Sequence, residues 1–101
     1  MTVHRLKTWP HYFKFVAAGV KPFEVRINDR DFQWRDDLVL EEWDPDTQKY
    51  SGASIDADVQ YCLYLKQYRD IKNWRWRLAR WIMPDIVIMG IQIDQESRIN
   101  G

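Results

Sequence analysis

From Ile55 to Lys66 the chain alternates without a break: Ile55, Ala57, Val59, Tyr61, Leu63 and Leu65 share one face, and Asp56, Asp58, Gln60, Cys62, Tyr64 and Lys66 share the other. A period of two sustained over this stretch predicts a long β-strand with one buried face. At about 3.3 Å per residue such a strand is long enough to bend around a barrel. The 101 residues supply one domain and one modest core. Much of its bulk must come from rings, because 15% of the residues are aromatic.

The remaining elements follow from local chemistry. Val3 to Trp9 predicts a short strand, and Pro10 suits the first turn of a helix, where its missing N–H costs nothing. Tyr12, Phe13, Phe15, Val16 and Ala17 give that helix, Pro10 to Ala18, a broad apolar face, and Gly19 suits the left-handed position that closes a helix. Phe23, Val25 and Ile27 alternate with Glu24, Arg26 and Asn28, a strand expected to turn its apolar side chains into the core. A polar turn over Asn28 to Phe32 leads to a strand over Leu38 to Trp43. Asp44, Pro45, Asp46 and Thr47 then make the turn of a hairpin. Trp74, Leu78, Trp81 and Ile82 recur at helical spacing within residues 66 to 82, which read as an amphipathic helix or as a structured basic loop, and Pro84 ends the segment. Ile86 to Ile93 is a buried last strand. The order β-α-β-β-β-(α)-β predicts an α+β chain, a small and mainly β barrel with one or two flanking helices. Residues 1 to 101 form a single domain, with its core over about 3 to 93 and 94 to 101 as a tail. The expected core includes Phe23, Val25, Ile27, Leu38, Leu40, Val59, Tyr61, Leu63, Ile88 and Ile91.

Composition excludes several classes. The lone Cys62 rules out an internal disulfide framework and a cysteine-based zinc site, and a reducing cytoplasm is expected. The longest apolar run, Ile86 to Ile91, falls far short of the roughly 18 residues that span a bilayer, so no membrane association is expected. The zero net charge conceals segregation. Residues 1 to 26 carry five bases and one acid, residues 27 to 58 three bases and ten acids, and residues 59 to 84 six bases and one acid. The two basic segments could share a face suited to phosphates, or could neutralise the acidic middle.

Gly19, Lys21, Glu24 and Arg26 stand at the spacing G-x-K-x-x-E-x-R, and His4, Lys7, Pro10, Tyr12 and Phe13 form H-x-L-K-x-x-P-x-Y-F. With Asn28 to Phe32, Asp36, Leu38, Leu40, Glu42, Asp44, Pro45, Tyr50, Ser51 and Gly52, these residues resemble the ASCH branch of the PUA-like superfamily. The likeness is to a small subgroup of bacteria and phages and covers residues 3 to 93. It implies a PUA-like β-barrel with a cleft between barrel and first helix, in a family whose known members bind RNA or modified bases. This chain departs from the subgroup at Arg35, a turn position where glycine is usual, and at Trp34 and Ala53. The segment Trp74 to Trp81 is outside the shared pattern.

Glu24, Arg26 and Asn28 lie in one row along their strand, about 7 Å apart, with Lys21 just before them. A carboxylate, a guanidinium, an amide and an ammonium in one row can read a base edge or hold a phosphate, or can form an internal ion pair on an exposed strand. His4 and Lys7 are three apart in a strand, so only one can face the cleft. Arg30 could bind phosphate or, with Asp29 and Asp31, support Lys21 and Arg26. Arg75, Trp76 and Arg77 combine π-faces with cations, as single-strand binders do. No metal motif is visible and no cofactor is expected. The expected function is a monomeric module binding RNA or other single strands that carry a modified base. Two alternatives stand beside it: a small hydrolase, amidohydrolase or nuclease, using Lys21 and Glu24 as a base and acid pair, and a phage-derived inhibitor that binds a protein partner. ASCH amidohydrolases carry Thr at the position of Glu24, so their nucleophile is missing here.

Overall fold

The computed structural model describes residues 1–65 and 85–94. Five strands and one helix follow in the order β1 (Val3–Thr8), α1 (Pro10–Ala17), β2 (Phe23–Ile27), β3 (Asp37–Asp44), β4 (Lys49–Leu65) and β5 (Ile86–Ile93). They form one sheet in the spatial order β1-β3-β4-β5-β2, curled into a half-barrel with the helix as its companion. Only the β1–β3 pair is parallel. The expected second helix and the tail lie outside the described residues.

The β3–β4 hairpin turns where the Asp-Pro-Asp-Thr run predicts. Asp44 Oδ1 accepts the Asp46 N–H at 2.8 Å, and the Gln48 N–H reaches Asp44 O at 2.7 Å. Beyond the turn, β4 runs further than the alternating stretch alone, starting at Lys49. It takes up extra residues opposite Glu42 near Gly52, whose φ of +95° suits glycine.

Leu6, Leu38, Leu40, Ile55, Ala57, Val59, Val87, Met89 and Ile91 fill the concave face, and Phe13, Val16 and Phe32 pack on them. Apart from the single methyl of Ala57, each such side chain stabilises the fold by about 1.5–3 kcal/mol on burial. Six expected core residues are not in it. Tyr61 and Leu63 are turned out by a bulge: Val59 pairs with Ile91 but Tyr61 with Gly90, so Gln60 is an extra residue and the alternation changes face after it. Cys62 then packs against the core in place of Tyr61 and Leu63.

The second correction is β2, which is inverted relative to its hydrophobic pattern. Phe23, Val25 and Ile27 are exposed and Glu24 is buried. Glu24 lies opposite buried Met89, on the inner face, and the neighbouring Lys21 and Arg26 supply the bonds that let a carboxylate stay there. The outward side chains continue across three strands in rows. Phe23, Gly90 and Tyr61 form one, Val25, Ile88 and Leu63 the next, and Ile27, Ile86 and Leu65 the third, which moves Ile88 to the outer face as well.

A buried polar node pins the β2–β3 connection. Asp36 accepts the N–H groups of Thr2 and Gln33 at 3.0 Å each, and the His4 ring lies 2.9 Å from its Oδ2. The ring also packs 4.6 Å from the centroid of Phe32. Burial pushes the Asp36 carboxyl upward, but these hydrogen bonds and the His4 charge outweigh it and hold the group below its ordinary 3.8. Arg35, in the turn before Asp36, has a φ of +73°, a left-handed conformation.

Candidate functional site

The strand order leaves β1 and β2 as the two edges of the half-barrel, and the chain between them builds a cleft across that gap. Pro10 starts α1 directly after β1, so Trp9 and Tyr12 sit at the mouth. The helix ends at Gly19, whose φ is +76°. There the Gly19 N–H bonds Val16 O at 3.0 Å, and the N–H groups of Val20 and Lys21 bond Phe15 O at 3.0 and 3.1 Å. This left-handed exit folds the chain back and sets Lys21 beside β2. The glycine of G-x-K-x-x-E-x-R therefore has a backbone reason: a side chain there would be strained.

The resulting cleft has a volume of about 510 Å³. Its walls are Lys7, Thr8 and Trp9 from the end of β1, Tyr12 from α1, Lys21 from the turn, and Glu24, Val25 and Arg26 from β2. Glu24 is its anchor, only 3% exposed. One carboxylate oxygen accepts from Lys21 Nζ at 3.0 Å and the other from Arg26 Nε at 3.0 Å. Lys21 Nζ also donates to Phe23 O at 2.9 Å and lies 5.0 Å from the Phe23 ring centroid. Arg26 reaches across the gap, donating through Nη2 to Lys7 O at 3.1 Å and to Thr8 Oγ1 at 3.4 Å. Lys7 Nζ stands 4.5 Å over the ring of Trp43. Lys21 and Arg26 face the one carboxylate here, so these charged groups of the lining carry one positive charge in excess. Trp9 and Tyr12, about half exposed, offer flat apolar surface beside it.

Chemically, such a lining suits a planar group with hydrogen-bond acceptors or an attached anion. The guanidinium and ammonium supply donors whose directions Glu24 fixes, and the rings supply stacking surface. Among the described residues no three His, Cys, Asp or Glu side chains gather as a metal site would require.

Lys21, Glu24 and Arg26 come together in this cleft; of the His4/Lys7 pair, Lys7 borders it, its carbonyl held by Arg26 while its ammonium lies over Trp43. His4 does not reach it, because its ring is buried against Asp36 and Phe32. Asn28 is likewise a turn residue, its Oδ1 accepting the Phe32 N–H at 2.9 Å. Arg30 lies outside the cleft wall and donates through Nη1 to Arg5 O at 2.8 Å. Arg75, Trp76 and Arg77 fall outside the described residues. Thr8, Trp9 and Tyr12 were not singled out as binding residues. The W-P-x-Y run places two rings where a strand ends and a helix begins, but nothing in it separates a cleft mouth from a core.

A half-barrel with a cation-lined cleft between its edge strands defines a class of small β-rich proteins. Within that class the chain belongs to the family described as domain of unknown function DUF3850, whose model matches residues 3–74. It is similar to the "Uncharacterized 12.9 kDa protein in GpA 3'region" of Escherichia phage P2, with 25% identity over 97 residues, spanning 94% of this chain and 82% of that protein. A solved structure titled "Crystal structure of hypothetical protein PH0355" shares the fold, with a TM-score of 0.56 and 13% identity over 93% of this chain and all of that one. Among the described residues no helix is long and apolar enough to cross a membrane.

Proposed function

We propose that the protein binds single-stranded nucleic acid, RNA foremost, by taking one unstacked and modified base into the cleft between β1 and β2. One observation carries the reading. The motif residues Lys21 and Arg26, both tied to buried Glu24, line the same wall space as the half-exposed rings of Trp9 and Tyr12. Aromatic stacking with fixed donors at the ring edge is how proteins hold splayed-out bases. The G-x-K-x-x-E-x-R resemblance to ASCH domains supports the same reading. In the hydrolase alternative Lys21 and Glu24 would exchange protons with substrate, but each already holds the other's charge at 3.0 Å, an arrangement that favours positioning.

The test is fluorescence anisotropy with random-sequence RNA and DNA octamers, parent against Trp9→Ala. The side chain of Trp9 makes no capping bond to the helix it precedes, so the substitution spares the fold. Stacking contributes about 1–3 kcal/mol per base, so affinity should fall by about 5- to 150-fold. A folded parent that binds neither octamer at about 50 mM salt, or a Trp9→Ala variant that binds equally well, overturns the proposal.

A further inference from the structure

The outward face of β1 carries Arg5 and Lys7, while His4, Leu6 and Thr8 point inward. On the free edge of the same strand, the carbonyls of Arg5 and Lys7 are covered by the guanidinium groups of Arg30 and Arg26. Arg30, Arg5, Arg26 and Lys7 therefore follow one another along the seam between the two edge strands, and the seam opens into the cleft at Lys7. The nearest acid to Arg5 is Glu41, loosely paired at 3.7 Å, and the Arg5 side chain remains 69% exposed.

We infer that this seam carries the phosphodiester backbone of the strand whose base enters the cleft, an inference that rests on the reading above. Arg5 and Lys7 stand two residues apart, about 6.6 Å along β1. That is about twice the 3.4 Å rise per strand of a duplex, a spacing an extended single strand can reach. The occupied carbonyls favour this ligand over an extended peptide. A peptide would add to β1 through those main-chain acceptors, which Arg26 and Arg30 already use, whereas phosphates need only the side-chain cations. Arg5 is a phosphate contact in this scheme and takes no part in the cleft.

The experiment measures octamer affinity from about 50 to about 200 mM salt for the parent, Arg5→Gln and Arg5→Lys. Arg5→Gln should reduce the slope of log affinity against log salt by about 0.7, the value for one single-strand phosphate contact. Arg5→Lys should restore the slope, and the melting temperature should stay at the parental value in both. A dinucleotide, too short to follow the seam, should bind all three proteins alike. If octamer binding responds to Trp9→Ala while Arg5→Gln keeps the parental slope, the seam assignment falls and the cleft reading stands. If the parent binds no octamer, both fall. If polyglutamate competes as strongly as octamer, the seam takes an acidic peptide and the inference is overturned.

Discussion

Replacing Glu24 by Gln keeps the shape of the side chain and removes its charge, which makes it a direct test of the anchor in the cleft wall. Each carboxylate oxygen accepts one charge-assisted hydrogen bond at 3.0 Å. The Gln amide can accept only one of them, and its NH₂ must then face the other donor. A hydrogen bond to a charged group contributes about 1.5–3 kcal/mol. The Lys21 and Arg26 side chains are 19% and 25% exposed, so water recovers part of the loss on the cation side. We expect a net cost of about 2 kcal/mol, which for a domain of this size lowers the melting temperature by about 8–16 °C. Circular dichroism melts would measure it, together with a Lys21→Met variant and the double substitution. Because Met removes one of the opposed donors, the double variant should be more stable than the two single losses added together, by about 0.5 kcal/mol or more. An unshifted melt for Glu24→Gln, or strict additivity, would refute the view that two cations hold this carboxylate inside.

Three further outcomes are expected. Val59→Asp should cost at least about 3 kcal/mol, since it puts an unpaired carboxylate at a fully buried site; Val25→Asp, at a half-exposed one, should cost at most about 1 kcal/mol, and equal chemical denaturation midpoints would undo the inverted reading of β2. Gly19→Ala should destabilise by about 1 kcal/mol. A Cβ there meets nothing within 4 Å, so the cost is conformational, and a melt unchanged from the parent would show that the left-handed exit of α1 is not needed. Asp36 is held below 3.8, so between its native value and 3.8 the unfolded chain binds more protons than the folded one. Its contribution is thus complete above the ordinary carboxylate range and is lost as pH falls through the lowered value. Acid melts of the parent should fall more steeply than those of Asp36→Asn, and parallel curves would contradict the assignment.

The helix and the Asp44 turn were legible because each has a local cause: a proline at the first helical position, a glycine closing the helix, side chains that bond their own backbone; the start of β4 at Lys49, six residues before the alternation, was not. The inward face was legible up to Val59 and no further. From Tyr61 to Leu65 both faces carry apolar residues, so the pattern contains no mark of the Gln60 bulge that changes its phase. In β2 hydrophobicity pointed the wrong way, since the outward turn of Phe23, Val25 and Ile27 is set by the pairing of Glu24 with buried Met89 and by the bond of Arg26 to the end of β1, which are tertiary facts. The row of Lys21, Glu24 and Arg26 could still be found from its spacing. The rings at the cleft mouth could not, because an aromatic beside a proline has the same local appearance in a core.

The strand order also sets a timetable for the molecule. The β3–β4 ladder closes through a tight turn, whereas β1 pairs with residues 34 positions away and β2 with residues about 60 away, as in Val3 with Asp37 and Val25 with Ile88. Loop-closure entropy makes such distant pairings slow. The β3–β4 hairpin can therefore nucleate early, while the edge strands dock late, and the cleft comes into being only when both have arrived. Amide hydrogen exchange should find the reverse order in the native state, with protection failing first at Leu6 and Arg26 and last in the centre of β4.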